Sequence, residues 1–299
     1  MADNLTAVVY GPKDFRMEMW ERPEPGEKEV QISVQNCGLC ATDIEVYRHA
    51  EIKGLDIEMP WILGHEASGI ITKLGKGVTS LKVGDRVATE SLRICRHCDL
   101  CKSGHYNMCN VKNFGKCFTR YMVLPADFCH KLPDNVDFES AALAEPLCVA
   151  VRICTRSGIK LGDHVLILGS DLRPERLEHA KRLGADNTFL VKNQSIPELV
   201  DELVKLIGKK PDVVIECVGI KATVELGMKI TKPTGCFLVA GVGTTSIEVP
   251  LFETVLNEID IRGTAAYANH YPQALSLLST GRVNMKSMIT HRFPLEKVE

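Results

Sequence analysis

The 299-residue sequence predicts an α/β chain, α+β overall: an irregular, mostly β first part and a second part holding a doubly wound parallel sheet. Three observations carry this expectation. Short apolar runs and period-two alternation, punctuated by Gly and Pro, fill residues 1–90. From about residue 159, strand-like and helix-like stretches alternate, as they do around a parallel sheet. Between the two lies Cys95-Arg-His-Cys98-Asp-Leu-Cys101, closed by Cys109, a loop dense in cysteine.

The bulk numbers fit such a chain. Its length suits about two domains. At 45% hydrophobic and 25% charged residues it matches an ordinary soluble globular protein. A net charge of -2 and a pI near 6.5 supply no basic excess of the kind nucleic acid or an anionic membrane calls for. No apolar run approaches the roughly 18 residues of a spanning helix. The opening Met1-Ala-Asp-Asn-Leu-Thr6 is neither a signal peptide nor an Arg-rich transit peptide. Twelve cysteines without a leader then imply a reducing, cytoplasmic setting.

Taken in order, Thr6–Tyr10 is a compact apolar strand ended by Gly11-Pro12, and Glu29–Val34 alternates with period two. Gly69–Leu74 and Gly84–Val87 continue the pattern of strands and tight turns. The cysteine loop follows. Two-residue gaps let Cys95, Cys98 and Cys101 curl round one ion, and Cys109 returns to complete a tetrahedron, the closed form of a structural zinc site. A disulfide cluster would need an oxidising compartment.

In the second part His164–Gly169 reads as a buried strand, and Leu177, Ala180 and Leu183 recur at helical spacing before Gly184. Asn187–Val191, Asp212–Cys217, Gly235–Ala240 and Glu258–Gly263 read as further strands. Ile196–Ile207 and Ala222–Ile230 read as the helices between them.

Three further motifs can carry chemistry. Cys37-Gly-Leu-Cys40-Ala-Thr42-Asp43 contains a Cys-x-x-Cys that alone could be a redox pair, half a zinc finger or buried thiols. Gly64-His65-Glu66 alone reads as a structural histidine. Ala144-Glu145-Pro146 is the third. In this order and at these distances, with Gly64–Gly69, Lys82–Val87, Pro125–Cys129, Lys131–Val136 and His291–Lys297, the chain resembles the zinc-dependent medium-chain dehydrogenase/reductase family. Within it, the sorbitol (L-iditol) dehydrogenase branch is the most similar.

The resemblance implies a GroES-like zinc-binding catalytic domain over residues 1–158 and a Rossmann-like NAD-binding domain over 159–264. Residues 265–299 would be a return segment that stops before the helix and strand with which relatives continue. It implies two zinc ions per chain. Cys40, His65 and Glu66 would surround the catalytic zinc, and Cys95, Cys98, Cys101 and Cys109 would hold the structural one, bracing a lobe away from the chemistry. Glu145 would act as an inner ligand or a water-bridged partner and face the substrate with Tyr267. Thr42 would relay the alcohol proton. Asp171 and Arg176 would contact the cofactor ribose, and Ala240, Gly241 and Val242 the rest of the cofactor. Asp171 favours NAD over NADP, because a carboxylate accepts ribose hydroxyls and repels a 2'-phosphate.

The chain departs from the family in four places. Gly169-Ser170 runs directly into Asp171, so the Gly-rich turn, the first crossover helix and the body of the second strand, about one βα unit, are missing. The loop from Cys109 to Cys117 is short. The branch's arginine–tyrosine pair is Ala266-Tyr267, and a tyrosine it places shortly after Cys40 is Val46. The last two remove polar partners for a polyol, whose hydroxyls need them when buried. The expected function is oxidation of a secondary alcohol or polyol to a ketone with hydride transfer to NAD, by a homo-oligomer. The competing reading is a catalytically impaired zinc-binding paralogue, a splice product or an incomplete gene model lacking the pyrophosphate-binding turn.

Overall fold

The computed structural model describes residues 2–52, 57–110, 113–169, 173–244 and 246–298. Two compact units emerge: residues 1–149 with 267–299, and residues 150–266.

In the first unit the strands are β1 (Asn4–Gly11), β2 (Asp14–Trp20), β3 (Glu29–Gly38), β4 (Trp61–Ile62), β5 (Glu66–Leu74), β6 (Arg86–Glu90), β7 (Leu92–Arg93), β8 (Asn113–Phe114), β9 (Tyr121–Pro125) and β10 (Cys129–Lys131). Helix α1 (Ala41–His49) follows β3, α2 (Asp99–Lys102) lies in the cysteine loop, and α3 (Phe138–Ala142) leads into α4 (Ala144–Ser157). The main sheet runs β10-β6-β5-β3-β9, every pair antiparallel. A second sheet runs β2-β1-β4. Their alternating strands bury Val30, Ile32, Ile71, Val87, Met122 and Leu124 in one cluster, and Ala7, Val9, Val46, Trp61 and Phe118 in another. Each Val, Ile, Leu, Met or Phe among them contributes about 1.5–3 kcal/mol on leaving water. Val46 is therefore a core residue of α1, where a tyrosine would overfill the space.

The second unit is a four-stranded parallel sheet in the order β11 (Val165–Leu168), β12 (Val213–Glu216), β13 (Cys236–Val239) and β14 (Asp260–Gly263). Helices α5 (Pro174–Arg182), α6 (Ile196–Ile207), α7 (Lys221–Ile230) and α8 (Leu251–Leu256) intervene. In the first unit α9 (Tyr271–Ser279) completes the set. Local rules place α6: Ser195 and Glu198 form a capping box, Pro197 sits in the first turn, and Gly208 ends the helix in left-handed geometry. Leu199 and Leu203 on its inner face pack with Val214, Ile230 and Phe237.

One expected strand is corrected. Asn187–Val191 forms no strand, because β11 ends the sheet among the described residues and no neighbour supplies a ladder. Only Phe189 of that stretch packs against the core. With no strand beside it, β11 leaves Ile167 65% exposed.

At the other end of β11, Asp212 accepts from the His164 N–H at 2.8 Å and pairs with Lys232 and with Lys209, the latter at 3.1 Å. Lys232 foremost, then the His164 amide, holds its carboxyl well below the ordinary value of 3.8. A depressed carboxylate stabilises the fold above its unfolded pKa and loses that effect as pH falls through the folded one. Asp212→Asn should thus lower Tm at pH 7 by about 2–4 °C, with the deficit closing below pH 3.8. An equal deficit at pH 7 and pH 2.5 in calorimetry would contradict this ion cluster's role.

Candidate zinc and substrate site

Cys40 stands at the N-cap of α1, two residues past the end of β3. Its position is set by Asp43, whose carboxylate accepts from the Cys40 N–H at 3.1 Å and from the Gly64 N–H at 2.8 Å. One buried carboxylate thus ties the start of α1 to the turn that delivers His65 and Glu66. Gly64 adopts φ 84°, a left-handed turn for which glycine is suited, and Glu66 opens β5. Asp43 also lies 3.6 Å from His65 Nδ1, leaving Nε2 for a metal. Ligand atoms of Cys40, His65 and Glu66 all lie within 4.8 Å of one another. Thr42 Oγ1 is 3.6 Å from Cys40 Sγ. Glu145 occupies the first turn of α4, close to Tyr267.

The electrostatics favour a cation here. Burial alone would lower the His65 pKa, but the Asp43 carboxylate and Cys40 reverse that and drive it to about 12. The imidazolium supplies positive charge to a donor set of one thiol and several carboxyls. Burial raises Glu66, and burial foremost, with Glu66 adding repulsion, pushes Glu145 to about 7. A thiolate, an imidazole and a carboxylate suit zinc, and three such ligands leave a position open. The residues fit a catalytic ion.

Gly38 makes room for this arrangement. A Cβ there would fall 2.1 Å from Glu66 Oε2 and 3.2 Å from Glu66 Cβ. Gly38→Ala should therefore expel the Glu66 carboxylate and lower the zinc content from two ions per chain to one, without altering any ligand. Two retained ions by elemental analysis would refute that dependence.

The cysteine loop fits a closed tetrahedral site. Thiolates about 2.3 Å from a central zinc stand about 3.8 Å apart. Cys95 Sγ lies 3.9 Å from Cys101 Sγ and 3.6 Å from Cys109 Sγ. The N–H groups of Cys98 and Cys101 point at the sulfurs of Cys95 and Cys98, at 3.4 and 3.5 Å. Backbone amides, that of Cys98 first, draw the Cys95 thiol down to about 6, whereas burial and the neighbouring Cys98 push Cys101 up to about 12. Four sulfurs cannot all ionise so close together without a cation, which is what zinc supplies. None of the twelve cysteines is in a disulfide.

In the second unit the C-terminal ends of β12 and β13 meet. Ala240 and Gly241 both donate backbone N–H bonds to Glu216 O, at 2.8 and 3.0 Å. A Cβ on Gly241 would fall 2.2 Å from Gly219 N, and one on Gly243 would fall 2.4 Å from Gly219 O. Such a close backbone approach at the strand ends of a parallel sheet fits a dinucleotide cradle. Val242 projects 76% exposed from it. Arg176 is an exposed residue of α5, and Asp171 lies outside the described residues.

Two residues went unassigned in the sequence. Asp43 was visible only as the end of the Cys37–Asp43 motif. Its signal was an acid at the third position of a helix behind a ligand. Glu216 is fully buried, and one of its oxygens accepts from Val218 N, Gly219 N and Thr223 Oγ1 at 2.7–2.8 Å. It shapes the glycine turn beside Ala240 and Gly241.

Fold and site together define a zinc-binding dehydrogenase. The family model for the alcohol dehydrogenase GroES-like domain matches residues 26–134, and that for zinc-binding dehydrogenases matches residues 150–280. Bovine (Bos taurus) sorbitol dehydrogenase is 38% identical over 325 aligned positions, covering 99% of this chain and 91% of that protein. The human (Homo sapiens) enzyme is 37% identical, covering 99% and 90%. Among solved structures, an alcohol dehydrogenase from E. coli CFT073 complexed with NADH superposes with a TM-score of 0.91 at 26% identity, covering 99% of this chain and 93% of that one. The 2R,3R-butanediol dehydrogenase of Bacillus subtilis gives 0.84 at 26% identity, covering 96% and 91%. The chain belongs to the zinc-dependent medium-chain dehydrogenase/reductase family, in its sorbitol dehydrogenase branch. The bovine alignment is longer than the 299-residue chain, so the relative carries residues that this chain lacks.

Proposed function

We propose that the chain is an NAD-dependent zinc polyol dehydrogenase, converting a secondary alcohol to a ketone. The observation that carries this reading is the convergence of Cys40, His65 and Glu66 within 4.8 Å, on a chain 38% identical to a sorbitol dehydrogenase along its length. When bound, zinc supplies Lewis-acid polarisation of the alcohol oxygen and the nicotinamide accepts the hydride.

The protein's own groups do the rest. Asp43 lies 3.6 Å from His65 Nδ1, so Nε2 would be the nitrogen offered to the ion. Thr42, beside Cys40, would relay the alcohol proton, passing its own on as it takes that one up. Glu145, in the first turn of α4, adds a carboxyl beside His65 and Glu66. The glycine turn of Ala240, Gly241 and Val242 carries the nicotinamide half of the cofactor, and Asp171 with Arg176 the adenosine ribose. Incubating the zinc-loaded chain with sorbitol or 2,3-butanediol and NAD at several millimolar should generate NADH absorbance. No signal above blank at that concentration would sink the reading.

The assembly is a homo-oligomer built on the second unit. Helix α8 turns Leu251, Phe252, Val255 and Leu256 to solvent, each at least 60% exposed, and β14 ends the sheet with Ile261 exposed. An apolar helix beside an open strand edge is a surface that monomers rarely leave uncovered. Light scattering at micromolar concentration should report a multiple of 33.1 kDa. A clean monomer would contradict it.

A further inference from the structure

The four-cysteine lobe is joined to the turn that carries Tyr267. Tyr106 sits between Cys101 and Cys109, and its hydroxyl donates to Glu90 Oε1 at 2.7 Å while accepting from the Asn269 N–H at 2.6 Å. The Asn269 side chain reaches back to Gly104 O, in the same loop, at 3.3 Å. Ala268 packs with Tyr106, Phe128 and Cys101. Asn269 itself has φ 63°, so the turn is a tight left-handed one that needs external anchors.

The far end of the turn is anchored as well. Tyr271 is 1% exposed, donates to Thr89 O at 2.7 Å, and stacks face to face on His130 at 4.5 Å. The second oxygen of Glu90 faces His130 Nε2 at 3.3 Å. Tyr267 meets the Tyr271 ring edge-on at 5.7 Å. The turn that carries Tyr267 is therefore held from both sides. One anchor belongs to β6 and the other to the cysteine loop.

We propose that the four-cysteine lobe positions Tyr267 for the polyol, acting through Tyr106 and Asn269. Both are positioning residues, since neither touches Glu145 or the ligands of the other zinc. The proposal rests on the reading of Tyr267 as a substrate contact. The lobe is then part of the specificity machinery as well as a brace, and its zinc acts at a distance by holding the loop that holds the turn.

The test uses the zinc-loaded protein in two versions. Tyr106→Phe keeps the ring and its packing but drops the hydroxyl that Asn269 needs. Asn269→Gly tolerates the left-handed backbone and removes only the bond to Gly104. Both variants should keep two zinc ions. Deuterium exchange in residues 267–271 should quicken roughly tenfold, with β12 unchanged. The polyol KM should rise about five- to tenfold, the effect of one lost hydrogen bond. Both kcat and the KM for a monohydric secondary alcohol should hold. Unchanged exchange across residues 267–271 in both variants would overturn the proposal, as would an equal loss toward polyol and monohydric alcohol. Faster exchange in a protein whose wild type oxidises no alcohol would leave the coupling standing and refute the functional reading instead.

Discussion

Replacing Cys40 with serine should remove one zinc ion from each chain and leave the other in place. The thiolate is the softest of the three donors that converge with His65 and Glu66, and a serine hydroxyl does not ionise near neutral pH to replace it. The remaining pair, His65 and Glu66, falls short of the three protein ligands a catalytic zinc requires. The four-cysteine site is built from its own loop, with sulfur spacings of 3.6 and 3.9 Å, and does not depend on Cys40. Elemental analysis should read one ion per chain in Cys40→Ser against two in the wild type. Mild chelation of the wild type should extract the same ion first, because its site keeps an open face. Polarisation of the alcohol oxygen is worth several kcal/mol, so turnover should fall by about three powers of ten or more. A variant that retains both ions, or loses both, would show that the two sites are not the independent units described.

Cofactor affinity is the second large effect. NADH should bind this chain in the millimolar range, and a chain with the missing βα unit restored should bind it in the micromolar range. Pyrophosphate binding in a dinucleotide fold relies on amide donors and the positive end of a helix, worth up to about 2 kcal/mol in favourable geometry. Each hydrogen bond to the charged phosphates adds roughly 1.5–3 kcal/mol. Helix α5 begins with Pro174, which has no N–H, and Glu175, flanked by Arg173 and Arg176. Such a helix start offers a pyrophosphate one amide donor fewer. Losing about 4 kcal/mol corresponds to a thousandfold in Kd. The close backbone approach of Gly219 and Gly241 at the ends of β12 and β13 is retained. Titration by NADH fluorescence against both chains decides the point. Micromolar binding by the 299-residue chain would mean that the pyrophosphate is held by other residues.

How much of this was legible in the sequence follows from how far apart the cooperating residues lie. The four-cysteine site could be read directly because its spacing is local: Cys95 to Cys109 is one loop, and short gaps leave the thiols few arrangements. Helix α6 was readable to its ends for the same reason, since Ser195, Glu198 and Gly208 are local stop and start signals. Cys40, His65, Glu66 and Glu145 were each ambiguous alone. They became a site through resemblance, and the structure brings the first three together by tying Gly64 to α1 through Asp43.

Other features had no local signature at all. Asn187–Val191 has a strand's composition, but a strand needs a neighbour, and the sheet ends at β11. Tyr106 and Asn269 stand 163 residues apart, and no periodicity or spacing links them. The sequence alone determined the four-cysteine site and the bounds of helices such as α6, because those rest on neighbours along the chain. Tertiary structure alone decided that the cysteine lobe reaches the Tyr267 turn and that Glu216 underpins the glycine cradle. Such contacts form only when the burial of distant apolar surfaces brings their polar groups together and requires each to find a partner.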